Sequence, residues 1–391
     1  MIRRIDLFMP LRSQYGVLHY FTQKLYEALL RAGVNCRILE AEKQNPRPFL
    51  TQLFSDPPDC TLSFNGVLPD EEGRFLCEMF KIPHVCMLVD SPLQFIPLAQ
   101  STYNIIECVD RGACRFFKNL QNKDTLFIPH AADHALTYSS KDERPHEVVV
   151  LASCIDYEEI AENWKAQHPK PLLDAILEAA RITLADQKTY FADALVQAVD
   201  TCIKKHSEID IQEIDFITIL DELEAYIIGY DRMSLIRSIS DAPIDIYGNT
   251  KDLWQKYVGN QSNCIVHDSL PFEEAFKKMK EAKILLNSFI VTKEGGHERI
   301  YSGMCCGAVV ITNENGFMKE TFEDGENIVF YTEQTLDIIN NRVNDLLTNE
   351  PKRAAIARAG SKVVHERHTW DQRVETLLKE LEALIVPPNK L

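Results

Sequence analysis

Positive charge is what this 391-residue chain has least of: 42 Lys and Arg stand against 58 Asp and Glu, a net charge of −16 with histidine neutral. A surface of that sign repels phosphate backbones and anionic lipid, so no nucleic-acid partner is expected and any polyanion needs a local basic pocket. Glycine and proline are sparse, at 15 and 18, which excludes collagen-like and low-complexity chains. No stretch reaches the roughly 18 apolar residues of a transmembrane helix, so no transmembrane segment is expected. The opening Met1-Ile-Arg-Arg-Ile-Asp-Leu-Phe-Met-Pro10, broken by Asp6, has too short an apolar run for a signal peptide, and the expected location is the cytoplasm. The 11 cysteines are odd in number and show no Cys-x-x-Cys spacing, so reduced thiols are expected rather than disulfides or zinc ligands. Adjacent Cys305 and Cys306 read as helix packing residues. No Gly-x-Gly-x-x-Gly follows the first apolar run, which weakens a dinucleotide-dependent oxidoreductase reading, and no Asp-x-Asp pair or histidine cluster suggests a metal.

What is present is the grammar of β-α-β units. Arg3 to Met9 reads as a strand. Leu18, Phe21, Leu25 and Leu29 then recur at helical spacing until Gly33, and Val34 to Leu39 forms the next strand. Further strands are predicted at Cys60–Phe64, His84–Val89, Ile105–Val109 and Leu126–Ile128, with helices at Glu71–Lys81 and Arg111–Leu120. The polar stretch Ser139–Pro145 marks a boundary. A second sheet is predicted from Val148–Ala152, Ile244–Tyr247, Cys264–Val266, Ile284–Asn287, Ala308–Thr312 and Ile328–Tyr331, with helices at Phe272–Glu281 and Glu298–Cys306. The predicted fold class is α/β: two doubly wound Rossmann-like domains facing a cleft, at 1–140 and 141–370, followed by helix and tail at 371–391 that pack back on the first domain. Long helical patterns cover Pro351–Arg367 and Trp370–Leu384, and Pro387-Pro388 ends the last.

Residues 156–241 interrupt the second sheet with helical periodicity. They hold 18 acidic and 8 basic side chains, which places −10 of the charge in this insert. Such a segment is either a solvated helical face or a docking surface for a basic partner.

The most informative segment is Asn287 to Thr312: strand, glycine turn, helix, glycine, strand. Gly295 and Gly296 let backbone approach a ligand. The helix starting near His297 then points unpaired N–H groups and the positive end of its dipole outward, as a phosphate requires. Arg299 adds a fork of donors suited to a diphosphate, and Glu298 can accept from a ribose diol. Ser302, four residues on, shares its helix face.

Gly296-His-Glu-Arg-Ile-Tyr-Ser-Gly-Met-Cys-Cys-Gly-Ala-Val-Val-Ile-Thr312 and Asn315 to Tyr331 resemble the donor-binding half of GT-B glycosyltransferases related to glycosyl transferases group 1, particularly the CgeB-like group. Phe272 to Asn287, Gly360 to Arg373, Pro83 to Pro92 and Ile128 to Asp133 are similar to other parts of that group. The resemblance implies metal-independent transfer of a sugar, a hexose by preference, from a nucleotide donor bound mainly by the second domain to an acceptor glycan, protein or small molecule bound mainly by the first. It implies no cofactor beyond the nucleotide sugar itself, with uridine diphosphate as the default carrier. Many retaining relatives carry two glutamates eight positions apart here; Glu294 fits the first, and the second position is Ser302, so Glu298 is expected to take over the ribose contact.

The expected donor-binding set is Gly16, Lys293, Glu294, Gly295, Gly296, His297, Glu298, Arg299, Ser302 and Asn313, and the expected catalytic set is Arg299, Asp90 and His19. Gly16 forms either a turn close to donor phosphates or a plain β-α turn. His19 either binds substrate or is structural, and Asp90 either takes an acceptor proton or caps a helix. Asn313, Glu314 and Asn315 either reach the sugar or form a turn. Two rivals stay open: a sugar-nucleotide epimerase or hydrolase on the same scaffold, and a non-catalytic interaction protein that presents the acidic insert.

Overall fold

The structure is a computed structural model that describes residues 2–41, 45, 47–121, 125–141, 143–206 and 209–385. The chain divides into two units, 1–135 with 365–391 and 136–364, so the divisions fall at 135/136 and 364/365 rather than at 140/141 and 370/371.

The first unit begins with β1 (Arg4–Phe8), α1 (Val17–Arg31), β2 (Asn35–Leu39), α2 (Arg47–Ser55), β3 (Cys60–Phe64), α3 (Leu76–Phe80), β4 (His84–Leu88), β5 (Asn104–Cys108), α4 (Arg111–Gln121) and β6 (Leu126–Phe127). Its strands are parallel in the order β2-β1-β3-β4-β5-β6. The α1 helix buries Phe21, Leu25 and Leu29 on the face their spacing predicts, and Gly33 ends it at φ 80°, where a side chain would be strained. The helix expected over Glu71–Lys81 is confined to Leu76–Phe80. Asp70 Oδ1 accepts from the backbone N–H groups of Glu72 (3.1 Å) and Arg74 (2.9 Å), and Gly73 sits at φ 78°, so a local turn displaces the first two helical turns.

The second unit opens with β7 (His146–Leu151). The insert follows as four helices, α5 (Tyr157–Gln167), α6 (Lys170–Ala185), α7 (Phe191–Lys205) and α8 (Phe216–Arg237), so it occupies the first crossover of the sheet. After it come β8 (Ile244–Tyr247), α9 (Lys251–Val258), β9 (Cys264–His267), α10 (Phe272–Glu281), β10 (Ala282–Asn287), α11 (Glu298–Cys305), β11 (Val309–Asn313), α12 (Gly316–Lys319), β12 (Val329–Tyr331), α13 (Leu336–Thr348) and α14 (Glu350–Arg367). The final helix, α15 (Trp370–Ile385), belongs to the first unit, where Trp370 packs on Phe21 and Phe64 and Asp371 pairs with Arg31. Pro387 and Pro388 lie outside the described residues.

The second sheet is also parallel, in the order β12-β11-β10-β7-β8-β9, with Val148 and Val150 level with Ile284 and Leu286. Its central strands β7, β10 and β11 are mostly buried, which is why they read as near-continuous apolar runs. Much of the insert's acidity serves its own helices. Asp156 and Asp215 accept from the N–H groups of Glu159 and Thr218 as N-caps, and Glu162, Asp174, Glu178 and Asp200 pair with Lys165, Lys170, Arg181 and Lys204. Among the described residues no helix is long and apolar enough to cross a membrane.

Candidate functional site

The strand order of the second unit reverses between β7 and β10, and open parallel sheets bind ligands at the carboxyl ends of the strands flanking such a reversal. The residues gathered there come from β10, β11, β12, α8 and α11. The last residue of β10, Asn287, is 1% exposed; its Nδ2 donates to Thr312 Oγ1 (2.9 Å), which turns its Oδ1 toward Arg299. Arg299 Nη1 donates to that Oδ1 at 2.9 Å, so the guanidinium lies over the end of β10 in the first turn of α11. No carboxylate hydrogen-bonds it, and no protein acceptor meets its Nε or Nη2 among the described residues. Burial lowers its affinity for a proton and the Glu298 charge opposes that; an arginine stays charged at neutral pH in either case.

A second guanidinium is anchored on the residue after Asn287, Ser288. Arg232, on α8 of the insert, is 6% exposed; its Nε donates to Ser288 Oγ (3.1 Å) just past β10, and its Nη1 donates to the Ser153 carbonyl just past β7. It therefore bridges the two strands that flank the reversal. Burial, followed by the nearby Arg299 charge, pushes its pKa down to about 10, the mark of two like charges held close in a poorly solvated place. The preceding residue, Asp231, is buried, and its carboxylate accepts from Asn313 Nδ2 (3.2 and 3.1 Å) and Tyr331 Oη (2.8 Å). Burial nevertheless raises its pKa to about 6.

The turn before α11 is braced on several sides. His297 is the N-cap: its Nδ1 accepts from Arg299 N–H at 3.2 Å and also contacts the Glu298 carboxyl. Both contacts use the same atom, which accepts the cap bond only when unprotonated and binds a carboxylate only when protonated. Burial lowers the His297 pKa, and Glu298 pulls it the other way. Asn315 Nδ2 donates to the carbonyls of Thr292 (2.9 Å) and Gly295 (3.0 Å) while its Oδ1 caps α12 at Met318 N. Asn313 Oδ1 accepts from Phe289 N–H at 2.8 Å.

Several predicted residues stand differently from expectation. Lys293 is 1% exposed and donates to the carbonyls of Thr183 (2.6 Å) and Asp186 (2.8 Å), so its ammonium caps the C-terminus of α6 rather than reaching for a phosphate. Gly296 is small for packing rather than for ligand approach: an added Cβ would lie 2.2 Å from Tyr301 Oη and 2.8 Å from Met318 Sδ. Glu298 is buried with its carboxyl on His297, and Ser302 is buried beneath it on the same helix face; Glu294 is half-buried in the turn. Asn313 is a brace for Phe289, held by Asp231.

In the first unit, Gly16 takes φ 81° with open space where a Cβ would sit, next to Tyr15 at φ 56°. His19 is exposed, and its Nε2 lies 2.8 Å from the Pro10 carbonyl. Asp90 is exposed past β4, where it accepts from Asn65 Nδ2 at 2.6 Å; the following helical turn is capped at Ser91 with no side-chain bond, so Asp90 is not its N-cap.

Residues 232–379 match a family model described as glycosyl transferase-like. The whole chain superposes on AviGT4, a glycosyltransferase involved in avilamycin A biosynthesis, with a TM-score of 0.56 and 10% identity over 99% of both chains. HepE from Anabaena, solved with UDP and glucose, gives 0.54 and 14% over 98% of this chain and all of its own. Sucrose-phosphate synthase from Thermosynechococcus elongatus gives 0.55 and 10% over 99% of this chain and 100% of its own. No curated protein matches the sequence.

The chain has the GT-B fold. The residues matched by the family model run from α8 of the second unit into α15 of the first, and the Arg299 segment lies within them. Asp231, Arg232, Asn287 and Ser288, which the structure gathers with Arg299 at the strand reversal, were not among the residues expected from the sequence. The readable sign was a charged pair inside the otherwise apolar run Ile227 to Ile236, where a helix has no polar face on which to place it.

Proposed function

We propose that the chain transfers a sugar, a hexose by preference, from a nucleoside diphosphate to an acceptor without a divalent metal. The observation that carries this reading is Arg299: a guanidinium in the first turn of α11, at the carboxyl end of β10, with donors unmet by any carboxylate. As the bond from sugar to diphosphate breaks, negative charge develops on the leaving oxygen. A preorganised fork stabilises that charge more than it stabilises the bound ground state. Asn287 holds the fork in place before substrate arrives. UDP is the default carrier, since the similarly folded HepE was solved with UDP and glucose. Glu294 and Ser302, on the turn and helix, are proposed to line the donor, and Glu298 to reach the ribose when His297 releases it. Asp90 is proposed as acceptor base, with Gly16 and His19 on the same unit as substrate contacts.

A thermal-shift panel of nucleotide sugars tests the donor, because a ligand bound only by the native state raises its melting temperature. Mass spectrometry of a reaction mixture then tests transfer. A glycosylated product formed equally well with and without EDTA supports the reading. Free sugar or an epimerised donor as the sole product overturns transfer, and loss of product with EDTA overturns metal independence.

A further inference from the structure

Arg232 raises a question that sugar transfer by Arg299 does not answer. A buried guanidinium is normally paired with a carboxylate or saturated by carbonyls. Arg232 is only 6% exposed, yet no carboxylate hydrogen-bonds it, and no protein acceptor meets its Nη2 among the described residues. Its neighbour Arg299 repels it, and the charge of Asp231 attracts it without bonding it, because that carboxylate is taken by Asn313 and Tyr331. Two forks with open donors, anchored on the consecutive residues Asn287 and Ser288 where the strand order reverses, form a receptor for a compact anion of more than one negative charge.

The position of Arg232 is fixed by the insert. Gly229 lets α8 approach closely, since a Cβ there would lie 3.1 Å from Tyr157 Cβ and 3.2 Å from Ile155 Cβ. Lys293 ties the loop after β10 to the end of α6. The insert thus grips the Arg299 loop from two of its helices.

We infer that α8 of the insert is a working wall of the site: Arg232 supplies a second cation beside Arg299, and the two together hold a diphosphate. The insert in this account is a piece of the binding site. Only the identity of the ligand, a nucleoside diphosphate rather than free pyrophosphate, rests on the donor reading.

Calorimetry with UDP, UMP and inorganic pyrophosphate on the wild type and on Arg232→Met tests it. The ratio of UDP to UMP affinity reports the second phosphate, whereas a merely structural arginine would change both affinities alike. The expected result is a ratio that falls at least tenfold in Arg232→Met, with pyrophosphate binding weakened in step. An unchanged ratio with UDP still bound overturns the inference and leaves the donor reading standing. Pyrophosphate binding that depends on Arg232, with UDP no tighter than pyrophosphate, supports the anion site and overturns the donor reading. No binding of any of the three to the wild type overturns both. Should Arg232→Met fail to fold, Arg232→Lys decides: it keeps a charge but not the fork, so a ratio reduced at least threefold supports the inference and a wild-type ratio overturns it.

Discussion

Each unit buries an arginine, and the two are used in opposite ways. In the first unit Arg373 is 7% exposed. Its Nε donates to the carbonyls of Pro129 (2.7 Å) and His130 (3.1 Å), its Nη2 to the His130 carbonyl (2.9 Å), and its Nη1 to the Arg367 carbonyl (3.0 Å). His368 Nδ1 accepts from it at 2.7 Å, which fits an imidazole that burial first, and the Arg373 charge second, push down to about 3 and so keep neutral. That fork is saturated by its own fold. In the second unit Arg232 makes two bonds and is repelled by the charge of another arginine, Arg299. A charge buried among acceptors is a fastener; a charge buried beside its like, with donors open, is stabilised only when an anion arrives.

Four changes would break or sharpen this contrast. The largest effect is expected at Arg299: Arg299→Ala lowers the rate of sugar transfer by about 10² to 10³ while the far-ultraviolet spectrum and melting temperature stay near wild type, and near-normal turnover would break the contrast. Next, Arg373→Met destabilises the first unit by about 3 kcal/mol, read by denaturant unfolding, because several buried carbonyls lose a charged donor at once.

The third change is linked to pH. The Asp231 carboxyl has its pKa raised by burial to about 6 in the folded protein from the ordinary 3.8, so between those values the native state binds more protons than the unfolded chain. The stability it contributes is fully present below about pH 4 and is lost as the pH rises through about 6. Asp231→Asn removes this dependence. Melting curves of the two proteins should converge in the variant's favour by on the order of 2 kcal/mol between pH 4.5 and 7.5, and a constant gap would contradict the assignment. The smallest effect is on the stability of Arg232→Met, expected within about 1 kcal/mol of wild type, since relief of repulsion by Arg299 offsets two lost hydrogen bonds. A loss as large as that of Arg373→Met would make Arg232 a fastener too.

The strands were legible because parallel strands buried on both faces are largely apolar; Val148 to Val150 in β7 and Ile284 to Leu286 in β10 fall where the apolar runs place them. The helix before Lys81 was not, because Asp70 offers the backbone a competing turn whose strength residue spacing does not express. Around the candidate site, the helix that carries Arg299 was legible from a glycine turn, a helix start and a following strand, all local in sequence. The partners of Lys293 were not legible for a matching reason: they are carbonyls on a helix about 110 residues away, and a lysine next to a glycine turn looks the same whether its ammonium faces a phosphate or a helix end. Arg232 lay in a segment whose acidity drew attention outward, while the face that α8 turns to the sheet depends on how four insert helices pack, which periodicity alone does not determine.

The most direct measurement is a crystal structure with UDP bound. The account predicts diphosphate oxygens at hydrogen-bond distance, about 3 Å, from the Arg299 guanidinium. A diphosphate bound away from it, with the Arg299 fork still resting on Asn287 alone, would contradict it.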